Sequence, residues 1–117
     1  MTEQATATVG SLLAGLPDAS AGAAIEALWS RRGVRVERIV SRGQARPPGF
    51  WYDQAHLEIV LVVAGRARLR LADAAGEVAL GPGDYAVIPP HCRHRVEWTA
   101  PDEDTVWLAV HIGQDGD

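Results

Sequence analysis

Residues 49–65 read GFWYDQAHLEIVLVVAG, a histidine and a glutamate at the head of an apolar run that closes on a glycine. Side chains alternate faces along a strand, so His56, Glu58, Val60, Val62 and Ala64 share one side, and Leu57, Ile59, Leu61 and Val63 the other. Both sides are apolar apart from the head of the run, which predicts a strand covered on both faces. A carboxylate in such a place needs a partner. Glu58 is therefore expected deep inside the protein and paired.

Working outward, RARLRLA at 66–72 puts Ala67, Leu69 and Leu71 on one side and Arg66, Arg68 and Arg70 on the solvent side. DAAG at 73–76 supplies a hairpin turn, and residues 77–80 form a short strand. In Gly81-Pro82-Gly83-Asp84 proline is preset for the second turn position and glycine is free to take positive φ at the third, which favours a type II turn. Residues 85–88 continue as a strand until Pro89-Pro90 interrupts the ladder. His94, Val96 and Trp98 are then expected to face the core, alternating with Arg95, Glu97 and Thr99, and residues 105–112 form the last strand.

Upstream, Val34, Val36 and Val40 alternate with Arg35 and Glu37 before RGQARPPG at 42–49 breaks the chain. The Ala-rich segment 20–32 carries Ile25, Leu28 and Trp29 at helical spacing. It predicts a short amphipathic helix, capped by Asp18 or Ser20 and ended by Gly33, with Trp29 as a packing anchor. Residues 1–10 show no period and read as a frayed terminus. Seven or eight short strands with regular turn signals indicate an antiparallel sandwich or barrel. The expected organisation is an N-terminal arm and short helix (1–33), a β-barrel (34–112) and a polar tail (113–117).

At 117 residues the chain fits one domain with a single core. One cysteine, Cys92, excludes an intrachain disulfide framework and agrees with a reducing compartment; no secretory leader or long apolar run is visible, so a cytoplasmic protein without a membrane span is expected. The net charge of -4 offers no general attraction to phosphate backbones, although residues 31–46 hold six arginines against one glutamate. Nucleic acid is not an expected partner. The absence of lysine rules out a Schiff-base mechanism. Gly81-Pro82-Gly83 superficially fits a dinucleotide fingerprint, yet it contains a proline and no helix follows; no P-loop or G-x-S-x-G is present, so no nucleotide cofactor is expected.

Two motifs carry a resemblance. Glu58, six residues and Gly65 form one; Gly83, five residues, Pro89 and, five positions on, His94 form the other. With these spacings residues 34–112 resemble the small single-domain cupins. The resemblance implies an all-β, double-stranded β-barrel of the cupin or jelly-roll type, here with the short N-terminal helix. It also implies an interior that holds a small molecule and, typically, a divalent metal (Fe, Mn, Ni or Zn). Cupins bind that metal through two histidines in H-x-H order upstream of the glutamate, the glutamate itself and the second-motif histidine. In this chain the H-x-H positions read Trp51 and Asp53 under one family spacing, or Tyr52 and Gln54 under the other. The second motif departs too, with His91 where glycine is common and Trp98 where asparagine is common.

His56 lies two residues before Glu58, on the same face of a regular strand. His56, Glu58 and His94 would make a 2-His-1-carboxylate metal set, with His111 or Gln54 as candidate fourth ligand. The alternative is a metal-free barrel in which Glu58 and His94 form a buried pair. As an enzyme of oxygenase, isomerase or lyase type, the barrel would use Tyr52, Asp53 or His111 to handle protons; otherwise it is a ligand sensor or carrier, or a dimerisation module. His91 is expected in solvent. Cys92, beside His91 and Arg93, has a setting that lowers a thiol pKa, but no motif supports a nucleophile and an inert thiol is expected. Leu57, Ile59, Leu61 and Val63 need cover on the outer face, so a homodimer is expected.

Overall fold

The computed structural model describes residues 6–47, 49–73 and 75–113. Eight strands follow in order: β1 (Ala24–Arg31), β2 (Val34–Ser41), β3 (Leu57–Ala64), β4 (Ala67–Leu71), β5 (Glu77–Leu80), β6 (Tyr85–Ile88), β7 (His94–Thr99) and β8 (Thr105–Ile112). They form two antiparallel sheets, one in the order β1-β2-β8-β3-β6 and one in the order β5-β4-β7. The protein is thus an all-β, double-stranded barrel of the jelly-roll kind. Among the described residues no helix is long and apolar enough to cross a membrane.

The alternation read in β3 holds as far as Val62; beyond it the ladder with β8 shifts register before Ala64. Glu58, Val60 and Val62 are buried, and Leu57, Ile59, Leu61 and Val63 are half-buried on the other side. Val60 and Val62 join Ala67, Leu69, Leu80, Ile88, Trp107 and Ala109 in the core between the sheets. Each fully buried aliphatic side chain there contributes about 1.5–3 kcal/mol.

Gly65 ends β3 where the chain crosses Thr105. Its φ is +87°, and a Cβ there would lie 2.5 Å from Thr105 Cα and Oγ1. The close approach lets Thr105 Oγ1 accept from Arg66 N at 3.2 Å and donate to Arg66 O at 3.1 Å. Glycine is the residue that permits this. At residues 81–84 the type II turn forms as expected: Gly83 has φ +91° and Asp84 N donates to Gly81 O at 2.9 Å.

The expected helix over 20–32 is instead strand β1, paired with β2. The apolar spacing that imitates a helical face comes from a β-bulge between Ala27 and Trp29, which shifts the register at Leu28. Ile25 therefore pairs with Ile39 on the inner side, while Trp29 pairs with Val36 on the outer side and is 53% exposed. Gly33, with φ +78°, belongs to the β1–β2 hairpin loop rather than a helix end. A second bulge corrects Trp98. The register shift between Arg68 and Leu69 pairs Val96 with Leu69 and Trp98 with Arg68, so Trp98 turns outward under the guanidinium of Arg68, 4.9 Å away. Thr99 takes the buried place opposite Ala67.

The N-terminal arm is tied to the outer face of β2 by Arg38, which is 7% exposed. Its guanidinium donates to the carbonyls of Leu12, Ala14 and Gly15 at 2.7–3.3 Å and pairs with Glu26 at 2.7 Å. Residues 1–5 of the expected frayed terminus, Pro48 of the 42–49 break, residue 74 of the 73–76 turn and residues 114–117 of the polar tail lie outside the described residues.

Candidate functional site

Opposed residues in a ladder share a face, so the pairings define what the barrel interior presents. One row on the inner face of the large sheet reads Ile88, Glu58, His111 and Arg35, contributed by β6, β3, β8 and β2. His94 enters from β7 of the other sheet. Between the sheets lies a cavity of about 540 Å³ whose polar lining includes Glu58, His94, His111, Glu37, Tyr52 and Gln54. Glu58, His94 and His111 are each at most 8% exposed.

Glu58 is the centre of this set. Oε1 faces His94 Nε2 at 3.4 Å and accepts from the Gln54 amide at 3.0 Å; Oε2 lies 3.8 Å from His111 Nε2. Burial alone would raise the Glu58 pKa, but His94, the Gln54 amide and the charge of His111 outweigh it and hold the carboxyl below its ordinary value. For His94 burial favours the neutral ring. The facing Glu58 carboxylate and the Cys92 carbonyl overcome it and raise the pKa. Because His94 Nδ1 is engaged with the Cys92 carbonyl at 2.9 Å, an acceptor only, Nδ1 carries a proton and Nε2 is the atom that titrates against Glu58.

His111 extends the network. Its Nε2 stands 3.2 Å from Glu37 Oε1, and its Nδ1 2.8 Å from His56 Nε2. A carboxylate can only accept, so His111 Nε2 donates to Glu37; in a neutral His111 ring, Nδ1 then accepts the His56 Nε2 proton. His56 thus stands behind His111, and β3 begins one residue after it.

The loop before β3 resolves which residues replace the H-x-H histidines. Tyr52 makes an isolated bridge with His94, exchanging backbone hydrogen bonds at 2.7 and 3.1 Å, and stacks its ring on the imidazole at 5.5 Å. Tyr52 and Gln54 therefore turn into the cavity. Trp51 lies under Arg95 at 4.4 Å, and Asp53 pairs with the exposed His91 at 2.7 Å. Of the candidate proton-handling residues, Tyr52 and His111 line the cavity and Asp53 does not. Cys92 is half-buried, and its thiol pKa is raised by burial and by the Asp73 carboxylate.

The metal that the resemblance implies can be tested against these donors. Position 52 offers a phenol whose oxygen accepts from Arg46, and position 54 an amide already donating to Glu58. Among the described residues no three His, Cys, Asp or Glu side chains are grouped to hold a metal ion. Of the expected set His56, Glu58 and His94, the structure brings Glu58 and His94 together at 3.4 Å, while His56 contacts His111 and does not line the cavity.

Three cavity residues carry no motif. Glu37 reaches His111, Arg46 lines the cavity while remaining exposed, and Trp107 lines it with an indole Nε1 that is buried without a hydrogen-bond partner. The alternation of Arg35 and Glu37 with valines gave the only signal, and it left open which set turns inward. Pairing with β8 answers this: Arg35 sits opposite His111, and Glu37 opposite Ala109.

A family model for the cupin domain matches residues 39–111. Among solved structures, one from Ralstonia eutropha, described as a candidate mannose-6-phosphate isomerase, is 44% identical; the match covers 92% of this chain and all of that one, with a TM-score of 0.87. A cupin superfamily protein from Desulfitobacterium hafniense is 15% identical, with 93% of this chain and 94% of that one covered and a TM-score of 0.73. A structure of DMSP lyases is 26% identical over 72% of this chain and 41% of that one, with a TM-score of 0.59. No curated protein matches the chain. Its fold, its two motifs and the family match agree, and the chain belongs to the cupin family.

Proposed function

We propose that the barrel binds a small polar molecule between its sheets and moves a proton on it, in a reaction of isomerase or lyase type. The observation that carries this is Glu58, buried in the cavity between the Nε2 atoms of His94 at 3.4 Å and His111 at 3.8 Å. The ionised Glu58 keeps His94 protonated at Nε2, so His94 is the acid that gives a proton to a substrate oxygen. The Glu58 carboxylate, which lines the cavity, is the base that takes the proton leaving the substrate, and His111, with Nε2 turned to Glu37 and Nδ1 to His56, stands on the far side of that carboxylate. General acid–base steps of this kind contribute about 10²–10⁴-fold to rate.

The likeness to the Ralstonia protein supports an isomerase among the candidate activities, and makes mannose 6-phosphate the first compound to try. We further propose a homodimer as the working unit. The test is solvent exchange: incubation with mannose 6-phosphate and related sugar phosphates in D2O, followed by proton NMR. Deuterium incorporation that is lost in H94Q and E58Q supports the reading. Binding without incorporation would leave a ligand-binding barrel in its place.

A further inference from the structure

Arg46 lines the same cavity yet is exposed, which places it at the rim. The other cavity arginine, Arg35, is paired with Glu37 at 2.8 Å, whereas Arg46 makes no ion pair among the described residues. It is nevertheless held in place. Nε and Nη2 donate to the Tyr52 hydroxyl at 3.0 and 2.8 Å, the guanidinium lies 4.9 Å from the Phe50 ring centre, and the backbone N donates to Val96 O at 2.9 Å.

This arrangement leaves donors facing no protein acceptor. Tyr52 oxygen accepts from Arg46, and its own proton has no acceptor among the described residues; Nη1 of Arg46 likewise has none. In the wall of the same cavity the buried indole N–H of Trp107 is without a partner. For the buried Trp107 N–H an unmet donor is costly and marks a missing acceptor, whereas the Tyr52 hydroxyl and the exposed Arg46 Nη1 are donors open to a ligand at the rim. All three uncommitted groups are donors and one is a full cation. The matching ligand is rich in acceptors and negatively charged.

We propose that Arg46 and Tyr52 anchor an anionic head group, a carboxylate or a phosphate, of the small molecule whose other end meets Glu58 and His94. The inference rests on the reading of the cavity as a substrate site and adds its substrate class. The Tyr52 ring connects the two ends, touching Arg46 through its hydroxyl and His94 through its face, so the ligand is a short acid or phosphate ester.

The test is an NMR titration of the full 15N-labelled chain with inorganic phosphate and, separately, with malonate, following the tryptophan indole resonances. Saturable shifts with either probe are expected, and the probe that binds identifies phosphate or carboxylate as the head group. R46Q should weaken binding by about ten- to a hundredfold, the loss of one charge-assisted contact. Y52F should weaken it less. R66Q, which removes a surface arginine paired with Glu103, should leave it unchanged. No saturable shift with either probe, or equal affinity in R46Q and the unaltered protein, would overturn the proposal. Loss of deuterium exchange in H94Q with anion binding retained separates the two ends of the site. If R46Q abolishes anion binding while no sugar phosphate exchanges deuterium, the anchor stands and the proton-transfer reading fails.

Discussion

Glu58 and His111 stand directly opposite each other across the β3–β8 ladder, and His94 reaches the same carboxylate from the facing sheet. The acid–base groups are thus fixed by strand register on one side and sheet packing on the other. A one-residue slip of β3 would turn Glu58 to the outer face and dismantle the site.

Gly65 guards that register at the end of β3. G65A is expected to destabilise the protein well beyond G83A. Both positions have positive φ, which costs an alanine about 1–2 kcal/mol, but only the Gly65 Cβ meets backbone, 2.5 Å from Thr105 Cα. Urea denaturation of the two variants checks this, and equal losses would contradict it.

Association is expected through the outer face of the large sheet. Successive pairings place Trp29, Val36, Val110, Ile59 and Val87 in one apolar row across all five strands, with Trp29 53% and Val87 52% exposed at its ends. A continuous exposed apolar surface of this kind favours burial against a second copy. Light scattering should report a dimer at micromolar concentration, and V87K should shift it to a monomer.

Much of this was legible in the sequence. The Glu58 and Gly65 spacing, the Gly83 turn and His94 gave the barrel and two members of the site, because motif spacing and period-2 alternation survive in regular strands. What failed was read across bulges. Leu28 and Glu97 each sit at a register shift, and at both the inward and outward sets exchange, which made β1 look helical and Trp98 look buried. Glu37 and Arg46 were invisible for another reason: their importance depends on which strand or loop lies opposite, and a single sequence does not state its pairings.

The Glu58–His94 pair should impose a pH window on stability. The folded Glu58 pKa is lowered, so its contribution is present above the unfolded value of about 4.3 and is lost as pH falls through the folded one. The folded His94 pKa is raised, so its contribution is fully present below the unfolded value of about 6.5 and is lost as pH rises through the folded one. Thermal melts across pH should therefore show a maximum between these values that flattens in H94Q.

The account stands on one claim, that Glu58 holds His94 protonated at Nε2. The direct measurement is the pH titration of the His94 ring nitrogens by 15N NMR, in the unaltered protein and in E58Q. The expected result is a midpoint above the ordinary value of about 6.5 that falls when Glu58 becomes glutamine. A His94 ring that titrates at the same pH in both proteins, or titrates only after a chelator is added, would contradict it.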